Sequence, residues 1–225
     1  MIAVTLNSTY DAAMMEIRTR LLEMGSEVEL MISNSIRSLV QRDALLSESV
    51  IAFESEINIL GQEIDSHCLH LLGHYGSAVQ HPHFVTQALK IVMDLERICS
   101  QCAGIARNVL ELIREAQCMS SIDLTPMAEA VNTSVREALG SFLGANNALA
   151  RKVFQGARMV DELNDQLQRV LLFEMMQDPA TSWRALRIKS ISKCLETITD
   201  HASNIAETVL FMDSAKTKTT GNSIA

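Results

Sequence analysis

Two stretches a hundred positions apart decide the reading: Ile91-Val-Met-Asp-Leu-Glu-Arg-Ile-Cys-Ser-Gln-Cys-Ala-Gly-Ile-Ala-Arg-Asn-Val-Leu110 and Ile191-Ser-Lys-Cys-Leu-Glu-Thr-Ile-Thr-Asp-His-Ala-Ser-Asn-Ile-Ala-Glu-Thr-Val-Leu210. Aligned without a gap they share Ile91/Ile191, Leu95/Leu195, Glu96/Glu196, Ile98/Ile198, Ile105/Ile205, Ala106/Ala206, Val109/Val209 and Leu110/Leu210. In both, apolar residues return at steps of three and four, the period of an amphipathic helix. Apolar matches alone could be two similar stripes, but Glu96/Glu196 occupies a flank where the stripe does not dictate residue type. An internal repeat follows: two tandem three-helix bundles, all-α, built from six long antiparallel helices.

The same stripe extends outward from these two helices. Met14, Ile17, Leu21, Met24, Val28 and Met31 mark a first helix. Leu46, Val50, Phe53, Ile57, Leu60, Ile64, Cys68 and Leu71 mark a second, which breaks at Gly73 to Gly76. The third begins near Pro82, carries Ile91 to Leu112 and should end near Gln117. Cys118 to Pro126 loses the stripe and gathers capping residues, so it divides the halves, with Thr125 as N-cap and Pro126 at the first position of helix four. Helix five follows Gly144 to Asn147 and carries Leu149, Val153, Val160, Leu163, Leu167, Val170 and Leu171; helix six opens at Asp178-Pro179. All three prolines suit helix starts. The expected division is a first bundle over 8–117, a second over 124–213 and a disordered tail over 214–225, which is polar and aperiodic.

Composition supports an all-α chain and removes several functions. The 225 residues are 48% hydrophobic and only 4% aromatic, with twelve Met, nine Gly and three Pro, a poor recipe for a β-sandwich or barrel. Nineteen Lys and Arg against twenty-seven Asp and Glu give a net charge of -8, so a primary nucleic-acid role is not expected. No stretch approaches a membrane span, and the first ten residues lack the pattern of a signal peptide. Five cysteines at unpatterned spacings suit reduced thiols, and the expected compartment is the cytoplasm. Walker, dinucleotide, nucleophile-elbow and H-E-x-x-H motifs are absent, as is any Glu-x-x-His.

The residues left for chemistry are acidic. Glu196 and Asp200 are four apart on one face of helix six, beside its apolar stripe, with Glu207 two turns along the same flank. A cation between them would turn mild repulsion into a binding site; a solvated acidic face fits the same spacing. The first repeat places Glu96, Ser100 and Arg107 at the corresponding positions, which weakens any metal site there. Cys99 and Cys102 form a C-x-x-C inside a helical period, read as buried or half-buried thiols. His67, His70 and His74 stand near the end of helix two, where basic groups complement the helix dipole.

Taken together, Asp94-Leu-Glu-Arg-Ile98, Leu195 to Glu207 and Arg20-Leu-Leu-Glu-Met-Gly25 resemble the paired signatures of the PhoU family, over roughly residues 8 to 213. The resemblance implies a six-helix, cytoplasmic, often dimeric protein without a reaction of its own. It implies negative regulation of phosphate uptake and phosphate-starvation signalling, between the phosphate ABC transporter with its ATPase and a sensor histidine kinase. Membrane association would then be peripheral, through these partners only.

Some members hold metal clusters through paired D/E-x-x-x-D motifs on the second and third helices of each repeat. Carried over, these positions are Glu54, Asn58, Glu96 and Ser100 in the first repeat, and Ala157, Asp161, Glu196 and Asp200 in the second. Two of four remain acidic in the first and three of four in the second. Where the family runs Glu-Arg-Ile-Gly-Asp-His, this chain has Glu96-Arg-Ile-Cys-Ser-Gln101. The candidate ligands are therefore Glu196, Asp200 and Asp161, then Glu96 and Glu54, for iron, manganese, magnesium or zinc, with the second bundle the better site. Two other readings stand beside this one: a metal-dependent enzyme using the acidic flank with His201 as its base, and a metal-free helical scaffold.

Overall fold

A computed structural model describes residues 2–75, 82–114 and 122–221, with side chains described over 10–74, 83–114 and 122–212. Among the described residues six α-helices follow one another: α1 (Ile2–Gln41), α2 (Ala44–Tyr75), α3 (Pro82–Arg114), α4 (Thr125–Leu143), α5 (Asn147–Gln177) and α6 (Ser182–Gly221), with a 3-10 turn at Pro179–Thr181 before α6. The apolar stripes become the core. Ile17, Leu21, Met24 and Val28 of α1, Ile57 and Ile64 of α2, and Ile91, Leu95, Ile98 and Ile105 of α3 are all buried. Burying each such side chain contributes about 1.5–3 kcal/mol. In the second half Val153 and Val160 of α5 and Ile191, Leu195, Ile198 and Ile205 of α6 do the same.

α1, α2 and α3 pack on one another, as do α4, α5 and α6, and the bundles join through α1 against α4 and α3 against α6. α2 and α5 pack only within their own bundles. One apolar cluster runs through both halves. α3 and α6 both carry small buried side chains, Cys102, Ala103 and Ala106 on the one and Ala202 and Ala206 on the other, and where the two helices pack a Cβ on Gly104 would lie 3.4 Å from Cys194 Sγ. α3 is thus buried on a wide face, toward its own bundle and toward α6, which is why both cysteines of the C-x-x-C are inside. At the α1–α4 contact Phe84 stacks on Phe142 with ring centroids 4.8 Å apart, beneath the guanidinium of Arg18. Arg18 Nη1 also donates to the Leu143 carbonyl at 2.7 Å, and Arg136 reaches Glu29 at 2.7 Å.

The repeat is visible in the turns as well. α1 ends with Arg42 at φ 53 and α4 with Ala145 at φ 48. In each, the next residue returns an N–H into the last turn, Asp43 to the Ser38 carbonyl at 3.0 Å and Asn146 to the Ser141 carbonyl at 2.8 Å. That next residue then caps the following helix: Asp43 Oδ1 accepts from Leu46 N at 3.0 Å and Asn146 Oδ1 from Leu149 N at 3.1 Å. One turn design, a left-handed residue followed by an N-cap, thus serves both bundles.

Three expectations need revision. The N-cap of α4 is Leu124, not Thr125, and Pro126 falls in the first turn at the second position. Asp123 takes the capping role, its Oδ1 accepting from Thr125 N at 2.9 Å, and the hydrogen bond from the Thr125 side chain, then this backbone one, holds its pKa below the ordinary value. Val170 is 47% exposed: Leu167 and Leu171 carry the burial, and a 100° turn per residue keeps Val170 off their face. The 214–225 segment expected as a disordered tail is helical as far as Gly221, since no proline or earlier glycine interrupts α6 there; residues 222–225 lie outside the described residues. So do the expected end of the third helix near Gln117, Gly76, and Cys118 to Ser121 of the Cys118–Pro126 division. α2 itself runs through Gly73 to Tyr75.

Candidate functional site

The acidic positions of the two bundles fold into different environments. On the second bundle, α5 and α6 run side by side and bring Asp161 of α5 into the field of Glu196 and Asp200 of α6. Partial burial, then Glu196, Asp200 and Asp165, raise the Asp161 pKa above its ordinary value, while Lys193 opposes the shift. Glu196 Oε2 accepts from Lys193 Nζ at 2.9 Å and from Asn164 Nδ2 at 3.3 Å. The Lys193 ammonium is held protonated chiefly by that bond, with Asp200 and Asp161 adding to it. Three carboxylates therefore share one ammonium, with Asp165 adding to the negative field at Asp161, a face with a deficit of positive charge.

Asp165, Asn164 and Lys193 were not among the sequence candidates. Asp165 lies four residues after Asp161, the same spacing as Glu196 to Asp200, and Lys193 three before Glu196; both signals were present in the sequence.

On the first bundle Glu54 is already satisfied. Ser100 Oγ donates to Glu54 Oε1 at 2.8 Å and Arg107 Nη2 to Oε2 at 2.9 Å. Glu96 turns the other way, its carboxylate lying against Gly61 of α2 where a Cβ would collide with it. Burial and the nearby Asp65 raise the Glu96 pKa, and burial raises that of Asp65, whose buried Oδ1 has no hydrogen-bond partner. Glu54 and Glu96 thus have separate partners.

Do these residues suit a metal ion? On the first bundle they do not: Arg107 supplies the positive charge at one oxygen of Glu54 and Ser100 donates to the other. On the second bundle the charge suits a cation, because Asp161 is held in a negative field that Lys193 only partly cancels. Among the described residues, however, no three His, Cys, Asp or Glu side chains converge closely enough to hold a metal ion as they stand. Coordination would require Glu196 to leave Lys193.

The remaining candidates have quieter surroundings. Cys99 and Cys102 are fully buried; burial pushes the Cys99 thiol up to about 12 and Cys102 higher than its ordinary value. Both are neutral thiols, poor nucleophiles and poor ligands. His70 and His74 stack on each other with centroids 5.7 Å apart. His201, the base an enzyme at this flank would need, faces away from Asp200 and meets Asp94 of α3, Nδ1 to Oδ1 at 2.9 Å, with both side chains largely buried.

Tandem three-helix bundles joined along α3 and α6 define an all-α repeat protein. The PhoU domain family model matches residues 21–109 and 124–209, one match for each bundle, and the chain belongs to that family. It is 30% identical to the phosphate-specific transport system accessory protein PhoU homolog of Pseudomonas aeruginosa over 208 residues, covering 92% of this chain and 86% of that protein. It is 32% identical to PhoU homolog 2 of Thermotoga maritima over 200 residues, covering 88% and 84%. The crystal structure of PhoU from Pseudomonas aeruginosa superposes with a TM-score of 0.85 at 30% identity, covering 92% of this chain and 99% of that one. No helix among the described residues is long and apolar enough to cross a membrane.

Proposed function

We propose that this chain is a non-enzymatic regulator of phosphate uptake and phosphate-starvation signalling. It acts in the cytoplasm, as a homodimer, by contact with the phosphate ABC transporter and its ATPase and with a sensor histidine kinase. The observation that carries this reading is similarity along nearly the whole chain, in both bundles, to accessory proteins of phosphate-specific transport. The engagement of His201 with Asp94 adds to it, because an enzyme built on the acidic flank would lack its base.

The metal link belongs to the second bundle. Asp161, Glu196 and Asp200, joined by Asp165, are the residues that would hold an ion, and the ion would supply the positive charge that Lys193 provides alone. Oxygen ligands favour a hard or borderline cation such as iron, manganese, magnesium or zinc. The ion would tie α5 to α6 and set the helix face presented to a partner.

The test is deletion and reconstitution. Deleting the gene should release phosphate uptake from repression, and purified protein should inhibit the transport ATPase or the kinase. Unchanged uptake on deletion, with no inhibition of either enzyme, would remove this reading.

A further inference from the structure

The core stripe of α5 runs Val160, Asn164, Leu167 and Leu171, at steps of four, three and four, and all four side chains are buried. An amide therefore occupies a position that the helical period assigns to an apolar residue, and Asn164 is only 5% exposed. Its Nδ2 donates to Glu196 Oε2 at 3.3 Å, while its Oδ1 is buried and has no hydrogen-bond partner. A buried acceptor left unpaired costs free energy in the fold that carries it.

Helix register sets this amide among the acidic residues. α5 and α6 run antiparallel, with Asn164 opposite Glu196. Three residues earlier on α5, Asp161 falls opposite the turn of α6 that carries Asp200, four residues after Glu196. Asp161 accordingly lies in the field of both Glu196 and Asp200. Asp161 and Asn164 on one helix and Glu196 and Asp200 on the other thus make a cross-helix quartet, three carboxylates and one amide. In the first bundle the repeat counterpart of Asn164 is Gly61, and there the carboxylate of Glu96 lies in the space a side chain would take.

The cation now at the quartet is detachable. Lys193 Nζ meets the same Glu196 Oε2 that the amide does, at 2.9 Å, from a side chain that is 66% exposed. It can swing into solvent without disturbing the core. An amide presents a donor at one end and an acceptor at the other, so a half-turn about its last bond exchanges N–H for oxygen at the same place.

We propose that Asn164 is a two-state ligand of the second-bundle ion: without the ion its Nδ2 steadies Glu196, and with the ion the amide turns so that Oδ1 joins Asp161, Glu196 and Asp200 around the cation while Lys193 swings away. Hard cations take amide oxygens alongside carboxylates. A neutral fourth ligand also spares the empty quartet the repulsion that a fourth carboxylate would add. The assignment rests on the metal link of the proposed function, and its test uses no transport component.

The experiment is calorimetric titration of manganese(II) chloride into the full chain, first freed of metal with chelator, paired with urea unfolding of the same samples. Asn164→Leu should bind manganese at least about tenfold more weakly than wild type. Its metal-free urea midpoint should be no lower, because the unpaired oxygen is gone and leucine suits the stripe. Asn164→Asp should keep manganese binding but lower the metal-free midpoint, by adding a fourth carboxylate, and manganese should restore it. Lys193→Met should bind manganese more tightly, having no ammonium to displace. Manganese bound equally by wild type and Asn164→Leu, yet lost in Asp200→Ala, would overturn the role of Asn164 and leave the metal link standing. A lower metal-free midpoint in Asn164→Leu with unchanged manganese affinity would make the amide structural and overturn it too. Should the leucine variant not fold, an Asn164→Asp midpoint indifferent to manganese would do the same. Manganese bound by none of these chains would overturn the proposal and the metal link together.

Discussion

Arg107 on α3 holds Glu54 on α2 across the first bundle, Nη2 to Oε2 at 2.9 Å. The position a hundred residues later is Glu207, and the repeat counterpart of Glu54 is Ala157, so the second bundle has neither partner. The two halves share a fold and a turn design, yet one is closed by its own arginine and the other leaves carboxylates in excess.

Arg107→Ala should cost little stability, about 0.2–1 kcal/mol, because the Arg107 side chain is 55% exposed and the pair is screened by water. Its effect should appear in ion binding. Combined with Ser100→Asp, it should confer a manganese-dependent rise in Tm when Asp200 is also replaced by Ala, whereas Asp200→Ala alone should show none. Differential scanning calorimetry with and without manganese reads both.

Three carboxyls, Asp65, Glu96 and Asp161, have pKa values raised in the folded chain. A folded pKa above the unfolded one means that the native state binds more protons in the interval. The resulting stability is fully present below the ordinary carboxylate values and is lost as pH rises through the folded values. Urea midpoints should therefore fall from these groups as pH climbs out of the acid range. Glu96→Gln should flatten that part of the profile and stabilise the chain at neutral pH more than at pH 4. A variant less stable than wild type at neutral pH, with an unchanged profile, would count against the account of Glu96.

His201 and Asp94 join α6 to α3 at 2.9 Å, with side chains 13% and 14% exposed. Removing either should cost about 1–3 kcal/mol, since a buried polar group is left without its partner. A double-mutant cycle with His201→Ala and Asp94→Ala should give a coupling of about 0.5 kcal/mol or more. Additive costs would mean that the pair is not formed in solution.

Ala145 occupies a left-handed conformation, φ 48, at the end of α4. Ala145→Gly should relieve the Cβ clash and stabilise the chain by about 0.5–1 kcal/mol after the added entropy of the unfolded glycine. Thermal melting reads it as a rise of about 1–4 °C.

The fold was legible because long helices with stripes such as Met14 to Met31 and Ile91 to Val109 have one way to bury them, whereas Asp178-Pro179, expected to open helix six, opens a 3-10 turn and α6 itself starts at Ser182. Local competition was harder to read. Nothing in the spacing says that Asp123 rather than Thr125 caps α4, since both are good acceptors and their ranking depends on the backbone angle at Leu124. The acidic flank was legible as i, i+4 pairs, but whether a carboxylate is free depends on what the neighbouring helix presents. Arg107 could be placed on the flank from its number; that it reaches Glu54, forty-six residues from Ser100's end of the same contact, depends on the α2–α3 register. Lys193 was not singled out for the same reason; among the described residues it is the ammonium in the field of Asp161.

The most direct test of this divergence between halves is the metal content of the full chain, purified without chelator or an affinity-tag metal. The account predicts about one ion per chain in wild type, retained in Glu54→Ala and lost in Asp200→Ala, as expected for oxygen ligands contributed by the second bundle. Metal lost in Glu54→Ala but kept in Asp200→Ala, or no metal in any of the three, would contradict it.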